Sequence, residues 1–268
     1  MSRQSRVSTV RIALLVASAA GTISLGAQEA AGLRYEFRTS SEKGEFTPGT
    51  GYVLGDASRV EMPRSGGDFI VLQPGHLYSV HPDKREYSDS RPEALSEVIG
   101  TALRAAQLLV RFELTGVEIL AQDLGEGESV AGEATHRYRL IQRFSVTVHP
   151  LIIGTTDGPP EKTEVVTDYW VAKGLRLPPN PLVQLLSNAP SALAQQDRAF
   201  AQRSVAVRDS LFTGMPLKVQ VTSRKNGEHP RIAQTFEVTS VSRVRVNASL
   251  FAIPAGYRRT DGISINSM

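Results

Sequence analysis

Alternating apolar and polar residues dominate this chain, and helical spacing takes over in only two windows. Leu33, Tyr35 and Phe37 alternate with Arg34, Glu36 and Arg38, the mark of a half-buried strand. Residues 51–54, 59–62, 69–73 and 77–81 read as further short strands, separated by Gly/Pro turns such as Pro74-Gly75 and His81-Pro82-Asp83-Lys84. Residues 117–122 predict another. The stretch 135–148 predicts a long one, with Tyr138, Leu140, Phe144, Val146 and Val148 on one face and Arg137, Arg139 and Arg143 on the other. Residues 163–172 are apolar on both sides, as expected of a strand under a helix or in a cavity wall. Between these strands, 149–160 is a long Gly/Pro-bearing connection. Residues 218–224 and 231–241 pair through Lys225-Asn226-Gly227-Glu228, where Asn-Gly favours a tight hairpin.

The first helical window follows a capping box, Ser90-x-x-Glu93. Leu95, Val98, Ile99, Ala102, Leu103, Ala106 and Val110 then recur at helical spacing, which gives one apolar face for burial against a sheet. The second window spans 178–212. A short helix starts at Asn180-Pro181 and ends near Asn188. Another starts at Pro190-Ser191 and reaches Leu211; it is mostly polar, with sparse apolar positions at Leu193, Phe200, Val207 and Leu211, so a peripheral place is expected. The chain ends in Phe251-x-Ile253-Pro254-x-Gly256-Tyr257, where Pro254 stops ladder pairing and Gly256 permits a turn. Strands and helices together predict an α+β fold built on a strongly curved antiparallel sheet.

Charge and targeting change the picture at the N-terminus. Arg3, Arg6 and Arg11 precede an apolar run from Ile12 to Ala20, and small residues lead up to Gln28. This is the tripartite pattern of a secretory signal peptide over residues 1–27, too short and too rich in small residues to span a bilayer. A single domain over 28–268 is then expected, periplasmic or secreted, with no transmembrane span. The formal charge of +3 comes from 30 basic and 27 acidic residues. Loss of the three signal-peptide arginines leaves basic and acidic residues in balance, which argues against a nucleic-acid partner. The chain has no cysteine, so packing alone holds the fold and no lipid anchor is attached at the cleavage site. About 240 residues suffice for one core burying roughly three quarters of the unfolded surface.

Signatures of catalysis are missing. There is no Gly-x-Ser-x-Gly elbow, no HExxH pair and no Walker loop. Gly125, Gly127 and Gly132 sit in an acidic turn and lack the dinucleotide-binding spacing. The carboxylates Asp56 with Glu61, and Glu161 with Glu164, read as a solvated surface. His76, His81, His136, His149 and His229 fall at strand ends or turns without metal-ligand spacing. No catalysis, metal or cofactor is therefore expected, since a hydrolase needs a nucleophile and a base in one cleft. The stripe Arg137, Arg139 and Arg143 offers bidentate forks to an anionic head group or an acidic partner; the plainer reading is a solvated sheet face.

Four segments together with the element order carry a family resemblance. They are Gly75-x-Leu77-Tyr78-x-Val80-x-Pro82, Thr167-Asp168-Tyr169-Trp170-Val171-Ala172-Lys173-Gly174-Leu175, Gly214-Met215-Pro216-Leu217-Lys218, and the tail from Phe251 to Tyr257. The chain resembles the outer-membrane lipoprotein carrier (LolA/LolB-like) superfamily, and within it an uncharacterised exported family. The resemblance implies an unclosed, strongly twisted antiparallel β half-barrel with helices covering its concave face. It also implies a lipid-like, hydrophobic or amphiphilic ligand held between sheet and helices, against Leu103, Tyr138, Leu140, Phe144, Tyr169 and Trp170. The lack of cysteine excludes the lipid-anchored acceptor type. The competing expectation is an interaction or sensor module without a small ligand, engaging an envelope protein partner through the open sheet edge or the 149–160 loop.

Overall fold

A run of neighbouring antiparallel strands builds one continuous twelve-stranded sheet in the computed structural model. The structure describes residues 29–42, 44–62, 67–91, 110–150, 157–175, 177–178, 180–188, 191, 194 and 197–261. Strands β1 (Glu29–Ser41), β2 (Phe46–Leu54), β3 (Ala57–Glu61), β4 (Phe69–Gln73), β5 (His76–His81) and β6 (Glu86–Ser90) form a meander. The long strands β7 (Val110–Glu126), β8 (Thr135–Pro150) and β9 (Glu161–Ala172) follow. Two α-helices come next among the described residues, α1 (Pro181–Asn188) and α2 (Arg198–Leu211). Strands β10 (Lys218–Lys225) and β11 (Arg231–Asn247) and the short β12 (Arg258–Thr260) complete the chain.

The order across the sheet is β12-β6-β5-β4-β3-β2-β1-β11-β10-β9-β8-β7. The pairing of β1 with β11, from Glu29 opposite Asn247 to Ser41 opposite Gln234, joins the N-terminal meander to the C-terminal strands. The β10–β11 turn has Asn226 and Gly227 both at positive φ, as an Asn-Gly hairpin requires. β12 runs parallel to β6, so the sheet is mixed.

This architecture corrects the expected half-barrel. The strands form a single open mixed sheet, and the described helices, eight and fourteen residues long, do not cover a concave face. α2 packs on β7 and β8, and α1 packs on β10 and β11. The reason is connectivity. β1 to β6 extend outward from β1 in one direction, and β7 forms the far edge. β8 to β11 run back from it until β11 pairs with β1, and the end strands β12 and β7 share no ladder. The helix read over 95–110, including Leu103, lies outside the described residues up to Val110, which opens β7. The signal-peptide segment and part of the 149–160 connection lie outside them too. β6 and β12 went unread in the sequence, and β7 and β11 extend well beyond the windows that predicted them. No helix among the described residues is long and apolar enough to cross a membrane.

Both faces of the sheet carry a core. On one face Tyr35, Phe37, Val165, Tyr169, Leu217, Val219, Val221, Phe236 and Val238 form the main cluster. On the other, the tail residue Phe251 closes a smaller cluster of Phe69, Val71, Val80 and Val246, with Ile253 and Tyr257 at its margin. The glycines of β2 are set by the rings of β1. A Cβ on Gly51 would sit 1.9 Å from Cζ of Tyr35, and one on Gly49 would sit 2.2 Å from Cζ of Phe37. The two aromatic rings therefore lie across strand positions that tolerate no side chain.

Candidate functional site

On the main-core face, Tyr138 of β8 stands opposite Tyr169 of β9. The chain then leaves the sheet, and Asn180 starts α1. Its Oδ1 accepts from the Leu182 amide at 2.9 Å, while its Nδ2 donates to the Tyr35 hydroxyl at 3.1 Å. α2 begins at Asp197, whose side chain accepts from the Phe200 amide at 2.8 Å. Phe200 is 2% exposed and meets Phe144 edge to face at 5.4 Å, which pins α2 to the core, while Phe200 and Ser204 are its buried residues and the rest of the helix lies at the surface. Gln142 Nε2 donates to Ser204 Oγ at 3.0 Å in the same buried contact.

After α2 the chain folds back over the tyrosines. The Phe212 ring lies 5.8 Å from Tyr138 and 5.0 Å from Tyr169. At Gly214, where φ is +88°, an added Cβ would approach the Leu177 carbonyl oxygen to 2.8 Å, and the next amide, Met215, donates to that same oxygen at 2.9 Å. Between β9, α1 and this return segment lies an open cleft of ≈ 340 Å³. Tyr169, Val183, Phe212 and Met215 give it apolar walls, while Asn180, Ser187, Arg208 and Asp209 bring polar groups. Arg208 is held by two hydrogen bonds to Asp209 Oδ1, at 2.9 and 2.7 Å. Burial pushes the Tyr169 hydroxyl up to about 12, against the pull of the Arg208 charge and of hydrogen bonds with Ser187 and Thr167.

The six residues expected to hold a ligand are dispersed. Tyr169 lines the cleft, and Tyr138 stacks behind Phe212. Leu140 borders an adjoining slot of ≈ 10 Å³, about the room one water needs. Phe144 is covered by Phe200. Trp170 faces the other side of the sheet, where Arg137 and Lys218 lie over its ring at 4.8 and 4.9 Å. Leu103 lies outside the described residues. The sequence reads Asn180 as a helix start and Met215 as part of a turn, but it marks neither of them, nor Val183 and Phe212, as cleft residues. The Gly214-Met215-Pro216 turn was the available signal, because a turn between a helix and a buried strand has to pass over the sheet.

On the reverse face the arginine stripe is neutralised. Arg139 grips Asp168 through two hydrogen bonds of 2.7 and 2.9 Å, and Arg137 adds a third at 2.7 Å. Burial alone would raise the Asp168 pKa, yet these bonds outweigh it and hold the carboxyl below its ordinary value. Arg143 bridges Glu164 at 2.6 Å and Glu118 at 2.7 Å. The stripe is thus an ion-pair lattice knitting β7, β8 and β9.

Four histidines meet carboxylates: His76 with Asp89, His81 with Asp68, His136 with Asp123, and His149 with Glu113 and Asp157. His81 also lies 3.4 Å from Ser79 Oγ through Nε2, while its Nδ1 meets Asp68 at 2.9 Å. That connectivity is the one used by serine hydrolases. Here Ser79 is 2% exposed in a strand paired on both sides, so its backbone amide lies within the sheet ladders. The cluster gives both nitrogens of a buried imidazole a polar neighbour.

No protein-family model matches the chain, and no curated protein is similar to it. Among solved structures, an uncharacterized conserved protein from Thermus thermophilus superposes with a TM-score of 0.38 at 9% identity, covering 85% of this chain and 89% of that one. A structure of PNGF-II gives a TM-score of 0.38 at 11% identity, covering 89% of this chain and 32% of the longer one. Likeness at this level carries no argument about fold or function.

Proposed function

We propose that the protein is an exported binding protein, periplasmic or secreted, which holds a hydrophobic or amphiphilic molecule in the cleft between β9, α1 and the α2–β10 return, without catalysis. The observation that carries this reading is the cleft itself. Its ≈ 340 Å³ falls at the lower end of the range for small-molecule sites, and apolar walls with a few fixed polar groups are the usual composition of such sites. Tyr169 offers an aromatic floor, and Asn180 is already fixed by its bonds to β1 and α1. The alternative, an envelope partner docking on the open β7 edge, is disfavoured by register shifts at Thr115/Glu118 and Asp123/Glu126 that break the edge as a pairing template.

The test uses a neutral hydrophobic fluorophore, N-phenyl-1-naphthylamine, together with mass spectrometry of a solvent extract of the purified protein. Thr213 is exposed at the cleft, so Thr213→Trp obstructs it without touching the core. Wild type should bind the probe and the variant should bind about tenfold more weakly, a change of about 1.4 kcal/mol. Equal binding by a folded Thr213→Trp variant, or no binding by wild type, refutes the assignment.

A further inference from the structure

A second concavity on the main-core face, between β1, β2 and β11, has a different chemistry. The β1–β11 register sets Leu33 opposite Arg243 and Ala31 opposite Arg245, and β1–β2 sets Leu33 opposite Val53. Directly opposed residues share a sheet face, so both arginines stand on the side of Leu33 and Val53. The small residues Ala31 and Gly55 fill little space, and an open hollow of ≈ 650 Å³ remains beside the two arginine stems.

Both arginines are exposed, and neither makes an ion pair or a side-chain hydrogen bond among the described residues. Most sheet arginines, by contrast, meet a carboxylate, as Arg34, Arg38, Arg59, Arg137, Arg139, Arg143, Arg224 and Arg231 do. What distinguishes Arg243 and Arg245 is that two unpaired guanidinium groups share one face beside an apolar hollow. The carboxylate at the hollow is Glu29, on the same face and opposite Asn247; it bonds to neither arginine. Two cations two residues apart on one strand, about 7 Å between their Cα atoms, repel each other until an anion sits between them.

We propose that this hollow binds an anionic amphiphile. Its carboxylate or phosphate oxygens take the paired guanidinium forks of Arg243 and Arg245, and its apolar part lies on Leu33, Val53 and the arginine stems. An exposed charge pair alone contributes little, so a free anion binds much more weakly than one carrying an alkyl chain. The site is separate from the cleft at Tyr169 and does not depend on the reading given to that cleft.

Calorimetric titration with octyl phosphate, inorganic phosphate and neutral octyl glucoside separates the sources of affinity. Octyl phosphate should bind wild type with a dissociation constant at least tenfold below that of inorganic phosphate. Arg243→Gln with Arg245→Gln should weaken it about tenfold, while Glu29→Gln should tighten it by removing a like charge. Thr213→Trp should leave it unchanged. The proposal is overturned if octyl phosphate does not bind, if the double variant binds it as wild type does, or if octyl glucoside binds equally well. It is also overturned if inorganic phosphate matches octyl phosphate, or if Thr213→Trp abolishes binding, which would place the ligand in the other cleft.

Discussion

Asn180 Nδ2 donates to the hydroxyl of Tyr35 at 3.1 Å, which ties the first residue of the helical segment to the first strand of the sheet. Both residues are buried, Asn180 at 2% and Tyr35 at 1% exposure. The same amide caps α1 through its oxygen. One side chain therefore fixes the helix that forms a wall of the cleft. Burial pushes the Tyr35 hydroxyl well above its ordinary range, partly offset by this hydrogen bond. Tyr35→Phe leaves the Asn180 donor buried without its acceptor and should cost about 1–3 kcal/mol in urea unfolding. Asn180→Ala also loses the cap and should cost at least as much. A neutral Tyr35→Phe variant would mean that Asn180 is satisfied elsewhere.

Asp168 predicts an acid limb to stability. Its folded pKa lies below the ordinary 3.8, so the stabilising contribution is fully present above that value. It fades as pH falls below 3.8 and is lost once pH drops through the lower folded pKa. Asp168→Asn should flatten this part of the profile in chemical denaturation from pH 2 to 6. At neutral pH, Asp168→Ala should cost about 2 kcal/mol, because two guanidinium groups lose their shared acceptor.

Tyr169 gives the opposite limb. Its folded pKa is about 12, against an ordinary 10.0. Stability owed to the neutral hydroxyl is present below pH 10 and is lost as pH rises towards 12, because the unfolded chain ionises first. Ultraviolet titration of the seven tyrosines should show a late step near pH 12 that Tyr169→Phe removes. If every phenol titrates near 10 before unfolding, the burial assigned to Tyr169 is wrong.

Gly51 tests the aromatic seat on β2. Gly51→Ala places a methyl group against the Tyr35 ring and should destabilise by about 1–3 kcal/mol, with a loss of near-ultraviolet dichroism as the ring shifts. Gly174→Ala is the control for losing a glycine: it sits at ordinary φ with open space around it, so only the clash is missing. A Gly51→Ala change no larger than this control would sink the steric account.

Much of the local structure was legible in the sequence because it is enforced locally. The Asn226-Gly227 hairpin follows from backbone preference, the start of α1 at Asn180-Pro181 from capping chemistry, and the two-faced pattern of β8 from strict alternation. The burial of β9 on both faces was also readable, but not what covers each face. On one side that is Phe212 over Tyr169, and on the other it is arginine and lysine stems over Trp170. An apolar residue carries no label for its cover. A stem that reads as charged surface can roof an indole as well as a helix can.

Alternation by itself determined that this chain makes strands, roughly where they lie, and which residues share a side. Tertiary structure alone decided that β1 joins β11, that the three residues of β12 run parallel to β6, and that the sheet stays open instead of curving into a half-barrel. It also decided which apolar side chains are consumed by packing, as Phe144 is under Phe200, and which border a cleft, as Tyr169 does. The physical reason is range: alternation and capping act over a few residues, whereas strand partners and cleft walls depend on contacts between residues far apart in the chain.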